Sequence, residues 1–161
     1  MRVLDVTGAQ ALLALDGPGG LPLHPLVVHV PIVLLPTAAL GAVVMVARAR
    51  FNKRFGVVFV IAAWVGAISA FLARQTGEEL AKTVPVLSEH VEDGGRLPFI
   101  AIGFAVIITV FWLFDRGIPG NRPRPWWLWA LAVVLIVLAV IVVAATVSAG
   151  HSGAESVWGT S

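Results

Sequence analysis

The chain has 161 residues, of which 58% are hydrophobic and only 12% are charged, about half the charged share of a soluble domain. This composition excludes an ordinary water-soluble protein and an intrinsically disordered one. Cysteine is absent, which excludes disulfides, Cys-ligated metal sites and C-x-x-C-H haem attachment. The net charge is only +2 and the basic residues flank apolar runs, so no nucleic-acid partner is expected.

Taken in chain order, the sequence begins with a mixed segment, residues 1–22, that we expect on the membrane surface. Four apolar runs follow, each long enough to cross a bilayer, which takes about 20 residues. They cover residues 26–47, 55–73, 97–114 and 126–149. We therefore predict an all-α fold, a single-domain four-helix transmembrane bundle in contact with the lipid bilayer.

Local signals predict details of these spans. Pro31 and Pro36 each remove one helical hydrogen bond, so we expect the first span to be bent and packed against its neighbours. A stripe of small residues in the second span suits close contact between helices; it consists of Ala62, Gly66 and Ala70. The polar segment 74–96 is expected to form one or two short surface helices that end at Gly94 and Gly95.

The distribution of charge predicts the orientation. Seven of the eleven basic residues follow the first and third spans: Arg48, Arg50, Lys53, Arg54, Arg116, Arg122 and Arg124. Eight of the nine acidic residues lie on the opposite side, with Asp115 as the exception. The positive-inside rule therefore places both termini and segment 74–96 on the extracytoplasmic side, and Trp126, Trp127 and Trp129 indicate an interfacial aromatic belt.

This topology places every histidine at one end of the bundle. His24 and His29 lie at the start of the first span, His90 in segment 74–96 and His151 directly after the fourth span. Histidine is the commonest metal ligand, and helix bundles hold cofactors between facing helices. His29 is the strongest candidate because an ionisable side chain inside an apolar span indicates a function.

Structural roles compete with ligation at each of these positions. His24 suits a helix cap or an interfacial side chain, His90 a solvated helix face, and His151 a cap on the last carbonyls of its span. His29 suits a hydrogen bond to a carbonyl that a proline has freed. Five residues turn an ideal helix by about 140°, so His24 and His29 are not expected to bind one ion together.

Two kinds of bound group fit such a constellation. The first is haem b held by His29 and either His90 or His151, with Arg74 or Arg96 pairing with the propionates. The second is a zinc or copper ion held by His24, His29, His90 and His151 in some combination. Signatures of hydrolases, nucleotide-binding enzymes and HExxH metalloproteases are missing, so a stand-alone enzyme is not expected.

The opening histidine segment also carries a resemblance. His24-Pro25-Leu26-Val27-Val28-His29-Val30-Pro31-Ile32 resembles the H-P-x-x-V-H-F-P-I opening of a bacterial family of four-helix membrane proteins, a domain of unknown function, with Val30 in place of phenylalanine. His90 with Gly94-Gly95, and the tail from Gly150 to Trp158, resemble later motifs of that family. The resemblance implies residence in the bacterial cytoplasmic membrane. Relatives in that family are sometimes fused to or neighboured with cytochrome-like modules, which favours haem binding and electron transfer.

Three hypotheses follow from these patterns. The first is a haem b redox protein that exchanges electrons with a redox partner protein or a quinol. The second is a cofactor-free accessory subunit of a larger, respiratory-type membrane complex. The third is an extracytoplasmic zinc- or copper-binding membrane protein.

Overall fold

The computed structural model describes the backbone of residues 23–80, 88–119 and 121–158, and the side chains of residues 24, 26–78, 91–119 and 121–155. The predicted surface segment 1–22 lies outside the described residues. The described chain forms α1 (Leu23–Ala47), α2 (Ala49–Leu80), α3 (Ser88–Gly117) and α4 (Trp126–Trp158). Each helix is long and apolar enough to cross a membrane, so the predicted all-α, four-helix transmembrane fold is confirmed.

The helices extend further than the apolar runs that nucleate them. Both α2 and α3 continue into the polar segment 74–96, and α3 passes through Gly94 and Gly95 without a break. The expected helix end at these glycines is therefore wrong. A glycine costs a helix about 1 kcal/mol, and the long apolar helix that follows outweighs that cost, helped by the ion pair of Glu92 with Arg96 across the glycines.

The four helices form a ring in chain order, with α1 packed against both α2 and α4, and α3 lying between α2 and α4. Hydrogen bonds join the start of α1 to the end of α2, through His24 and Ala73, and the start of α3 to the end of α4, through Asp93 and Ser148. Neighbouring helices are therefore antiparallel. We call the end that contains these contacts the His24 end, and the end formed by residues 45–54 and 112–126 the Arg124 end.

Small residues bring α1 and α2 close together. A Cβ atom on Gly66 would lie 2.8 Å from Leu35 Cδ2, and one on Gly41 only 2.0 Å from Phe59 Cδ1. Gly66 belongs to the small-residue stripe predicted in the second span, and its contact with Leu35 agrees with the role expected for that stripe. The fully buried side chains of the core include Leu35, Met45, Phe104, Ile108, Phe111, Leu128, Leu135 and Val142.

The outer faces of all four helices are also apolar. Exposed valine, isoleucine, leucine and phenylalanine side chains lie along each helix, including Leu40, Ile68, Phe99 and Val140. In water such faces would drive aggregation, whereas in a bilayer they contact lipid. The polar side chains that could form a site therefore lie at the two ends of the bundle, beyond the apolar faces.

Candidate functional site

His24 lies half-buried between α1 and α2. Its Nδ1 atom lies 2.9 Å from the carbonyl oxygen of Ala73 and 3.3 Å from Thr76 Oγ1. The ring packs directly against the backbone of Gly77, where a Cβ atom would be only 2.9 Å from His24 Cε1. The small residue at position 77 thus allows the imidazole to lie against α2.

These contacts determine the tautomer of the ring. A carbonyl oxygen only accepts hydrogen bonds, so the Nδ1 atom of His24 must carry the proton. The hydroxyl of Thr76 donates to the backbone of its own helix, towards Leu72 and Ala73, and its oxygen can accept from the same Nδ1–H. When a ring with this proton is neutral, its Nε2 atom carries the lone pair through which imidazole binds metals.

Arg74 connects α2 to α3 at the same end. Its Nε donates to Glu78 Oε1 at 2.7 Å and its Nη1 donates to the carbonyl of Gly95 at 3.4 Å. The guanidinium also lies over the ring of Phe99, 5.5 Å from the centroid. Arg74 is next in sequence to Ala73, but its guanidinium is directed towards α3, whereas His24 contacts α2 from α1.

The other predicted residues are more exposed. Arg96 is paired with Glu92 on the surface of α3. His151 is 74% exposed, with Nε2 3.3 Å from Glu155 Oε1. His29 is exposed on α1, as the rotation of about 140° from His24 leads one to expect. The side chain of His90 lies outside the described residues.

The structure therefore places His24 and Arg74 at the same end of the bundle, with His24 on the side of α2 that faces α1 and Arg74 directed towards α3, and it leaves His29 and His151 exposed. Among the side chains that the structure describes, no three histidine or carboxylate groups gather in an arrangement suited to a metal ion. Ligation by the histidines, whether of haem or of a metal ion, stays a prediction.

A second polar cluster, which the sequence did not predict, lies at the Arg124 end. Asp115 is 1% exposed and Arg124 is 10% exposed, with Arg124 Nε 2.7 Å from Asp115 Oδ1. Arg124 Nη2 donates to Asp115 Oδ2 at 3.0 Å, and Asn52 Nδ2 donates to the same oxygen at 2.5 Å. This buried pair joins the start of α2, the end of α3 and the connection to α4.

Arg124 also contacts the last turn of α1. Its Nη2 donates to the carbonyl of Met45 at 3.0 Å, and its Nη1 donates to the carbonyl of Val46. The last carbonyls of a helix lack partners within the helix, and a cation there is favourable. One guanidinium therefore stabilises the end of α1 while neutralising Asp115.

Sequence patterns place both partners of this pair after the third span, in a turn that contains glycine and proline. Arg124 was counted only as a topology signal, and Asp115 was expected just beyond the third span, whereas α3 continues to Gly117. Two signals point to the pair in hindsight. Asp115 is the only acidic residue on the basic side of the predicted topology, and Pro123 and Pro125 restrict the backbone around Arg124.

Comparison with known proteins agrees with the architecture. A family model described as "Predicted membrane protein (DUF2231)" matches residues 20–161. No curated protein and no solved structure gives a match. The match covers all four helices and both polar clusters.

Proposed function

The chain belongs to the DUF2231 family of predicted membrane proteins, and from that premise we propose that it is a membrane redox protein that holds haem b at the His24 end. One observation carries the proposal. The Nδ1–H of His24 is bonded to the Ala73 carbonyl, which is the arrangement that fixes a ligating imidazole in proteins.

The surroundings of His24 support this role in three ways. The bond to Ala73 orients the ring and directs the basic Nε2 atom away from the backbone acceptor. Thr76 Oγ1 adds a second acceptor for the same proton, which raises the basicity of the ligand. The site also lies at the boundary between the apolar span and the polar end of α2, where a largely apolar macrocycle with two carboxylates matches its environment.

The remaining predicted residues have defined parts in the proposal. His90, His29 and His151 are the candidates for the second axial ligand. Arg74 and Arg96 would pair with the propionates, since a guanidinium binds carboxylates through two parallel hydrogen bonds. Haem b supplies one-electron transfer between two oxidation states of its iron, and a redox protein or a quinol would be the partner at this face.

The first test is an optical spectrum of the purified protein, expressed with ample haem, before and after reduction with dithionite. We expect a Soret band in the wild type and its loss in His24→Ala. Thr76→Val removes one acceptor of the Nδ1 proton while keeping the shape of the side chain, and we expect haem affinity to fall by about tenfold.

His29→Ala, His90→Ala and His151→Ala each remove one candidate for the second axial ligand. Loss of the band in one of these variants and its retention in the other two would identify that ligand. A wild type without a Soret band overturns the proposal, and a band unchanged in His24→Ala overturns the part assigned to His24.

Metal analysis and co-purification, both done on the same purified protein, distinguish the two alternative functions. Zinc or copper that is bound by the wild type and lost in a histidine variant would support an extracytoplasmic metal-binding protein. Stable co-purification with other membrane polypeptides, without a chromophore, would support a cofactor-free accessory subunit of a larger membrane complex.

A further inference from the structure

The Arg124 end carries a concentration of exposed positive charge. Two stretches contribute it, residues 48–54 and 116–122. They contact each other at one end of the bundle, where Lys53 donates to the carbonyl of Ile118. The exposed basic side chains, which we call the cationic collar, are Arg48, Arg50, Lys53, Arg54, Arg116 and Arg122.

Among the side chains that the structure describes, no exposed acidic one lies at the Arg124 end. Asp115 is the only aspartate or glutamate in residues 17–77 and 97–154. Its carboxylate is buried against Arg124, so these two charges cancel each other inside the bundle. The charge that this end presents to its surroundings is therefore wholly positive.

The position of the cationic collar points to lipid as its partner. It lies where the candidate membrane spans end, next to the start of α4, where Trp126, Trp127 and Trp129 are exposed. Tryptophans at this level mark the interface between hydrocarbon and water. Arg116 lies over the ring of Trp112, 4.5 Å from its centroid, so its charge is held at the same level, that of the phosphate groups.

A bound anion would also stabilise α2, the helix that carries three of the six residues of the cationic collar. Arg50, Lys53 and Arg54 lie in the first two turns of α2, and no acidic residue is present in its first turn. The start of a helix is the positive end of its macrodipole, so basic side chains are unfavourable there. A phosphate next to them reduces this repulsion.

We propose that the cationic collar binds the phosphodiester headgroups of anionic phospholipids, so that the Arg124 end is surrounded by such lipids in preference to zwitterionic ones. Clusters of basic residues next to membrane spans attract anionic lipid with a contribution from each charge. The cationic collar favours anionic over zwitterionic lipids because Asp115, the one carboxylate near it among the described residues, is buried against Arg124 and does not offset its charge.

Native mass spectrometry of the full chain, released from vesicles of equimolar phosphatidylglycerol and phosphatidylcholine, tests the proposal. We expect the wild type to retain phosphatidylglycerol preferentially. The variant with Arg50→Gln, Arg54→Gln, Arg116→Gln and Arg122→Gln should lower that preference by at least about tenfold. Lysine at the same four positions keeps the charge and should keep the preference.

Two further measurements complete the test. High salt should abolish the preference of the wild type for phosphatidylglycerol, because screening weakens interactions between exposed charges. The single change Arg122→Gln should weaken the same preference, and it can be measured even if the fourfold variant fails to fold. Equal retention of both lipids by the wild type overturns the proposal, as does a preference unchanged in the glutamine variants. Equal thermal stabilisation by inorganic phosphate and by phosphatidylglycerol would also overturn the assignment to lipid.

Discussion

Asp115 accepts three hydrogen bonds while almost fully excluded from solvent, two from Arg124 and one from Asn52. A buried carboxylate is tolerated only when its charge is paired and its oxygens are satisfied. The geometry meets both conditions. Asn52 Oδ1 is the one buried side-chain nitrogen or oxygen atom without a hydrogen-bond partner among the described residues. A Cβ atom on Gly56 would lie 2.4 Å from this oxygen and 2.4 Å from Trp112 Cδ1.

Removing one member of this pair should be costly. Asp115→Ala leaves the guanidinium of Arg124 largely buried without its counter-charge, and we expect a loss of about 3–5 kcal/mol in the free energy of unfolding. Denaturation in detergent micelles, followed by circular dichroism, measures it. Glu92→Ala breaks the exposed pair with Arg96 and should cost less than about 1 kcal/mol. Similar losses in both variants would contradict the structural role of Asp115.

At the scale of the helices, the distance between α1 and α2 depends on glycine. The ring of Phe59 occupies the space next to Gly41 and packs against Phe51, with ring centroids 5.7 Å apart. A larger residue at position 41 therefore requires the Phe59 ring or the helix backbone to shift. Close approach of the two helices requires the absence of a side chain at this position.

The change Gly41→Ala should therefore separate the helices, at a cost of about 1–3 kcal/mol in the free energy of unfolding. Gly103→Ala is the matched control, since a Cβ there meets nothing within 4 Å. Alanine favours helix over glycine by about 1 kcal/mol, so the control should be neutral or slightly more stable. Thermal unfolding in one detergent compares the two, and a result in the opposite order would count against close packing at Gly41.

At the scale of the whole molecule, the two polar ends differ in kind. The His24 end carries paired acidic and basic groups, such as Arg74 with Glu78 and His151 with Glu155. The Arg124 end exposes basic groups alone. The orientation with the Arg124 end in the cytoplasm is predicted from this same asymmetry of charge, and it stays a prediction.

Labelling of introduced cysteines tests that orientation without background, because the natural chain contains no cysteine. Ala154→Cys at the His24 end and Asn121→Cys at the Arg124 end replace exposed residues. In intact cells a membrane-impermeant maleimide should modify position 154 and leave position 121 unmodified until the membrane is permeabilised. Labelling of position 121 alone in intact cells would reverse the orientation.

The sequence by itself determined the number of helices, the apolar centre of each span and a small-residue stripe suited to close contact between helices. These are local properties, because a bilayer requires an uninterrupted apolar run of fixed length. It also indicated His24 and Arg74 as site residues, and that role stays a prediction. It placed helix ends poorly, as at Gly94, because packing and polar contacts extend helices beyond their apolar runs.

Only the tertiary structure decided which side chains meet. The bond from His24 to Ala73 joins positions 49 apart, and that from Asn52 to Asp115 joins positions 63 apart. In a soluble bundle an apolar stripe would indicate the buried face of each helix. In a membrane the lipid-facing and buried faces are both apolar, so the rotation of each helix, and with it the partners of its few polar residues, is set by packing between helices.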